Sequence, residues 1–175
     1  MTEHLVVTAM GTDRPGIVSK LARLASDCDC DIVDSRMAIF GNEFTLILML
    51  SGSWSAITRI ESNIPSLSAE LELLTVVKRT SKYIQTNYAT RLEISFTGKD
   101  ERGTMKAITE FLAAKHVDVA SLRSHAEEDN LSQQIQLTVN VPTQINLNEL
   151  QKDIHSFAAS ISLVCEITQQ TDIKK

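Results

Sequence analysis

Two short stretches have the residue types and spacing to hold a small charged ligand. They are Gly11-Thr12-Asp13-Arg14-Pro15-Gly16 and Gly98-Lys99-Asp100-Glu101-Arg102-Gly103, both reading Gly-x-Asp-x-x-Gly. Each lies between a short apolar run and a stretch with helical spacing. The first N–H groups of a helix lack intrahelical partners and carry the positive end of its dipole, so they suit a carboxylate. Gly16 adds no Cβ that would keep a ligand or a neighbouring backbone away. Asp13, beside those amides, offers an acceptor for a cation. Amide donors next to a carboxylate are what a zwitterionic α-amino acid needs. The plainer reading of the same spacing is a tight turn with an aspartate cap.

Other chemistry finds less support. Cys28-Asp29-Cys30 hints at metal or redox work, but no second Cys or His pair completes a site, and small buried thiols explain it. His4, His116, His125 and His155 are scattered, and none adjoins a Ser or Cys in a nucleophile pattern. Neither a G-x-x-x-x-G-K-[ST] loop nor H-E-x-x-H occurs. The expectation is a protein that is not an enzyme and carries no cofactor.

Charge narrows the partners. The formal net charge is −5, a poor start for binding phosphates. The densest basic stretch, Lys78, Arg79 and Lys82, reads as the solvated end of a strand rather than a phosphate site. The N-terminus lacks a basic leader, and the longest apolar run, residues 46–50, is far short of the ~20 residues that span a bilayer. Three cysteines form no disulfide framework and fit a reducing compartment. A cytoplasmic protein with no direct nucleic-acid or membrane contact is expected.

The two glycine stretches belong to a longer repeat. The offset of 103 − 16 = 87 also carries Leu5 onto Leu92, Val7 onto Ile94, Leu21 onto Ile108, Asp31 onto Asp118, Ile32 onto Val119 and Arg36 onto Arg123. Matched turn, helix, strand and charged positions indicate a duplicated unit. In the first copy, residues 5–10 read as a strand buried on both faces. Ile17, Leu21, Leu24 and Cys28 mark a helix, with Pro15 suited to its first turn. Residues 32–40 and 43–50 are strands joined by a Gly41-Asn42 hairpin. Ser53 caps a second helix carrying Ile57, Ile60 and Ile64, expected to end near Pro65. Residues 71–77 close the unit as a fourth strand.

The second copy repeats this order. Residues 92–96 are a strand, Met105, Ile108, Phe111 and Leu112 mark a helix, and residues 117–124 are a strand. An acidic hairpin at Glu127-Glu128-Asp129-Asn130 follows. Ile135, Leu137, Val139 and Val141 alternate with polar residues, as in a strand with one wet face. Asn146 caps a helix bearing Leu147, Leu150, Ile154 and Phe157, with Glu149 placed for a capping box. Ile161, Leu163, Cys165 and Ile167 alternate as the last strand.

The expected fold is α+β, two ferredoxin-like βαββαβ modules in tandem, each with both helices on one face of an antiparallel sheet. The modules are placed at residues 1–80 and 91–175, with a polar linker at 81–90. Modules this small are marginal alone, so an interface is expected. Residues 44–50 are apolar on both faces whereas their counterpart is apolar on one. The open face of the first sheet is therefore expected to be covered by the sister module or another chain, with a homo-oligomer possible.

A βαββαβ unit opened by Gly-x-Asp-Arg-Pro-Gly, with apolar residues entering the first helix and Asp-Ile starting the next strand, resembles an ACT domain. These regulatory modules commonly bind amino acids. The stretches Asp13-Arg14-Pro15-Gly16-Ile17-Val18, Asp34-Ser35-Arg36 and Leu50-Ser51-Gly52-Ser53-Trp54 are similar to the glycine cleavage system transcriptional repressor family. The second copy has Glu101-Arg102 where the first has the Arg-Pro pair.

The resemblance implies an amino acid, glycine or another small one, held between the strand-to-helix turn of one module and the start of the second strand of its neighbour. The turn residues would be Asp13, Pro15, Gly16 and Ile17, with Asp100, Gly103 and Thr104 in the second copy. The facing residues would be Asp31 and Ile32, or Asp118 and Val119. Arg36 and Arg123 are alternative partners for these carboxylates. The resemblance further implies repression by contact with a DNA-bound transcriptional activator of the glycine cleavage genes, relieved by glycine. A ligand-free interaction scaffold and an amino-acid-sensing subunit of a metabolic enzyme are the other expectations.

Overall fold

A computed structural model describes residues 2–81, 88–99, 101–126 and 132–170. The chain divides into two compact units, Met1–Ile84 and Gln85–Lys175. The first contains β1 (Glu3–Thr12), α1 (Ile17–Asp27), β2 (Asp31–Phe40), β3 (Glu43–Gly52), α2 (Trp54–Leu71) and β4 (Leu74–Thr80). The second contains β5 (Tyr88–Lys99), α3 (Thr104–Ala114), β6 (Asp118–Ala126), β7 (Ser132–Pro142), α4 (Leu147–Ser160) and β8 (Leu163–Gln170). Each unit is βαββαβ with an antiparallel sheet, ordered β2-β3-β1-β4 and β6-β7-β5-β8. β5 starts at Tyr88, inside the span expected as linker. The acidic hairpin at 127–130, Lys82 and Asp100 lie outside the described residues.

Alternation decides which face each strand buries. Leu5, Val7 and Ala9 of β1 and Phe44, Leu46, Leu48 and Leu50 of β3 point under α1 and α2, where they meet Leu21, Ile57 and Ile60. Leu92, Ile94, Phe96, Ile135, Leu137 and Val139 do the same beneath α3 and α4. Each buried Val, Leu, Ile or Phe among them contributes about 1.5–3 kcal/mol by leaving water, so the helix-facing side carries most of the stability. The other face of β1 is only half covered, and Met10 is exposed, so this strand is not buried on both sides as its composition suggested.

α2 corrects a second expectation. It runs through Pro65 to Leu71 instead of ending there. A proline inside a helix costs ~3 kcal/mol through a lost hydrogen bond and a clash with the preceding turn. The turn beyond it buries Ser68 and Leu71 and packs Leu67 on the core, which offsets that cost. Glu72 ends the helix in the left-handed region at φ 54°, and β4 consequently starts at Leu74 rather than residue 71. Two of the expected caps are present, at Ser53 and Asn146. Ser53 accepts from the Ala56 amide at 3.2 Å, and Asn146 accepts from those of Asn148 and Glu149 at 3.0 and 3.3 Å.

Candidate functional site

The two glycine turns have the same construction, with a different task for each glycine. Gly11 and Gly98 lie at the ends of β1 and β5 against the starts of β4 and β8. A Cβ on Gly11 would sit 2.7 Å from Leu73 Cδ2 and 3.2 Å from the Glu72 carbonyl oxygen. On Gly98 it would sit 2.6 Å from Leu163 Cδ2 and 3.1 Å from the Ser162 carbonyl oxygen. These glycines let two strands approach. Gly16 and Gly103 instead hold φ of 92° and 95° as the N-caps of α1 and α3, with open space around them. Backbone conformation, rather than crowding, calls for glycine at these two positions.

Neither helix start has a side-chain cap, and neither first turn contains an acidic residue. This overturns the aspartate-cap reading for Asp13, which donates its amide to the Asn42 carbonyl at 3.1 Å; Asp100 lies outside the described residues. The Ile17 and Thr104 amides reach back to the Arg14 and Glu101 carbonyls at 3.5 and 3.2 Å. Among the described residues no acceptor is found for the next amides, those of Val18 and Ser19 and of Met105 and Lys106, at the positive end of each helix dipole. Pro15 precedes the cap and sits in the turn itself. Arg14 is anchored away from the turn, donating to the Leu71 carbonyl and pairing with Glu72 at 3.6 Å.

The starts of β2 and β6 also match. Asp31 pairs in register with Ser51 and Asp118 with Asn140, and both ladders shift by one residue just beyond, after Ile32 and after Val119. Their surroundings differ. Asp118 accepts from the Tyr88 hydroxyl at 3.1 Å and from the amide of the buried Asn140 at 3.2 Å, while Asn140 accepts from Arg91 at 3.0 Å. Asp31 is exposed beside an exposed Ile32 and has no ion pair among the described residues. Arg36 pairs with Asp34 at 3.6 Å, not with Asp13 or Asp31, and Arg123 makes no ion pair among the described residues.

Within one module the two halves of the candidate site are far apart. Gly11 pairs with Phe44 at one end of β3, whereas Asp31 pairs with Ser51 at the other. Seven residues of strand separate those rows, roughly 23 Å at 3.3 Å per residue. A ligand touching both a turn and a β2 start therefore needs two modules.

The thiols take no part in this arrangement. Burial pushes the Cys28 and Cys30 thiols up, and Cys165 is pushed up to about 11 by burial and the nearby Glu166. Among the described residues no group of three or more His, Cys, Asp and Glu could hold a metal ion, and no helix is long and apolar enough to cross a membrane.

The fold, the duplicated αL glycines and the matched strand starts define a tandem ACT-domain protein, and residues 3–78 and 85–159 each match the ACT domain family. The glycine cleavage system transcriptional repressor of Escherichia coli (strain K12) is 37% identical over 163 residues, covering 91% of this chain and 86% of that protein. A crystal structure assigned as a glycine cleavage system transcriptional repressor superposes with a TM-score of 0.80 at 35% identity, covering 98% of this chain and 99% of the other. The chain belongs to the glycine cleavage system transcriptional repressor family of tandem ACT proteins. An unknown protein from Galdieria sulphuraria shares the fold, with a TM-score of 0.76 at 20% identity over 98% of this chain and all of the other.

Proposed function

We propose that this chain is a cytoplasmic, non-catalytic regulator that represses the glycine cleavage genes, and that a small amino acid, glycine first among candidates, controls it. The observation that carries this reading is the pair of uncapped helix starts at Gly16 and Gly103. Amide donors held outward by a fixed left-handed glycine suit a carboxylate. An exposed carboxylate at the start of the second strand of a neighbouring copy suits the ammonium. Asp31 is the better acceptor, because Asp118 already receives two hydrogen bonds. The ligand would thus lie between the Asp13, Pro15, Gly16 and Ile17 turn, or the Gly103 and Thr104 turn, and the Asp31–Ile32 segment of a second copy of the chain.

Repression would run through contact with a DNA-bound activator, in keeping with a net charge of −5. Glycine can relieve that contact only if it binds the free chain more tightly than the complexed one. Two measurements test the reading. Calorimetry should show saturable glycine binding that Asp31→Asn weakens by about 10- to 100-fold, the loss of one charge-assisted bond worth about 1.5–3 kcal/mol. Saturating glycine should weaken the complex with the activator on its DNA. Equal stability of that complex with and without glycine would end the mechanism.

A further inference from the structure

We infer that the open sheet face of the first module is the contact between two copies of this chain, packed face to face about a two-fold axis running along the strands between β3 and β1. This does not depend on the amino-acid reading.

Ladder register arranges the face in rows across β2, β3, β1 and β4. One row reads Asp34, Met49, Val6, Lys78, and the next Arg36, Ile47, Thr8, Val76. Met49, Val6 and Ile47 on the two central strands and Val76 on the edge strand β4 are apolar, and much of this surface is bare, with Ile47 44% and Val76 68% exposed. Apolar side chains scattered singly over a surface need no explanation, but a contiguous patch marks a contact.

The fold does not demand this patch, because the second module builds the same sheet without it. Matched by register, Ile47, Met49, Val6 and Val76 become Gln136, Thr138, Glu93 and Glu166. That polar face forms a shallow hollow of about 380 Å³. The difference lies in the side chains and not in the backbone plan.

Charge decides the occupant. An axis along the strands sets β2 of one copy over β4 of the other in the same row. Asp34 then faces Lys78 of the second copy, and Lys78 faces its Asp34, while Met49 meets Val6, Ile47 meets Thr8 and Arg36, paired to Asp34 of its own chain at 3.6 Å, lies over Val76. An axis across the strands, centred on the middle row, would set Arg36 against Arg36. The face is thus self-complementary in one orientation and self-repelling in the other, as an isologous interface requires. Four strands about 4.8 Å apart and about eight residues long give roughly 500 Å² per copy. The resulting total of roughly 1,000 Å² is near the lower bound for a specific contact, so a reversible dimer is expected.

Sedimentation of the full chain over a range of concentrations tests this. The wild type should dimerise reversibly. Ile47→Gln with Met49→Thr, the residues the second module carries, should yield a monomer with unchanged far-UV circular dichroism. Asp34→Lys should weaken the dimer at least about tenfold, and Asp34→Lys with Lys78→Asp should bring it back to within about threefold of wild type. If the grafted variant fails to fold, the charge swap decides alone. A wild type that stays monomeric, a dimer indifferent to the graft, or a swap that does not restore association would overturn the proposal.

Discussion

Gly16 and Gly103 adopt one backbone conformation, φ 92° and ψ −9° against φ 95° and ψ −3°, at the N-caps of two matched helices. A Cβ on Gly103 would meet nothing within 4 Å and one on Gly16 only Ser19 Oγ at 4.0 Å. Their identity is therefore a matter of dihedral angle, and the exposed amides that follow are a consequence of it.

A substitution at either glycine should act through strain. Gly16→Ala is expected to destabilise the first module by about 1–2 kcal/mol, the cost of a left-handed L-residue. Gly16→Asn should cost less, because asparagine tolerates that region. Urea unfolding of the two variants measures the difference.

The other glycine pair should fail through crowding. Gly11→Ala drives a Cβ into Leu73 and the Glu72 carbonyl and should cost about 1–3 kcal/mol. Removing the Leu73 side chain as well should relieve part of the clash. A double-mutant cycle in urea should then show the Gly11→Ala penalty falling in the Leu73→Ala background.

Asp31 and Asp118 occupy matched positions but should differ in how much stability their removal costs. Asp118→Ala strips the buried Asn140 of an acceptor and should lower stability by about 1–3 kcal/mol. Asp31→Ala removes an exposed carboxylate and should change stability by less than about 0.5 kcal/mol. Thermal unfolding of both variants checks this contrast.

The Arg79 guanidinium holds the Glu61 carboxyl below the usual carboxylate range through hydrogen bonds of 2.7 to 3.2 Å. The folded-state value lies below the unfolded one, so the stabilisation is present above the ordinary carboxylate range. It is lost as pH falls through the folded value. The stability difference between wild type and Glu61→Gln should therefore shrink on acidification, as read from unfolding curves between neutral and acid pH.

Cys165, with its thiol pushed up to about 11, should alkylate about two orders of magnitude more slowly at pH 8 than an ordinary thiol. Timed iodoacetamide labelling of native and urea-unfolded chain, read by mass spectrometry at this residue, provides the comparison.

Much of the fold was legible because each sheet obeys a period of two and each helix a period near four. The 87-residue offset extends further than side chains alone. It carries the left-handed Asp29 onto His116 at φ 55° and 56°. What local patterning could not show was decided at longer range. Pro65 signals a stop, yet the core contacts of Leu71 hold α2 together beyond it. The half-open side of β1 depends on what covers the sheet, which its own apolar run does not encode. At the candidate site, the glycines and Asp31 were visible as a motif and a repeat. The division of labour between Gly11 and Gly16 was not, because it rests on φ and on the distance to Leu73. Nor could spacing reveal that Asp118 is held by Asn140 and Tyr88, residues far from it in sequence.

The most direct test follows the backbone amides of Val18, Ser19, Met105 and Lys106 by NMR while glycine is added to the full chain. Saturable shifts at the α1 start, at the α3 start, or at both, lost in Asp31→Asn, are the predicted result. Glycine binding that leaves all four amides unmoved would contradict the assignment of the helix starts as the carboxylate site.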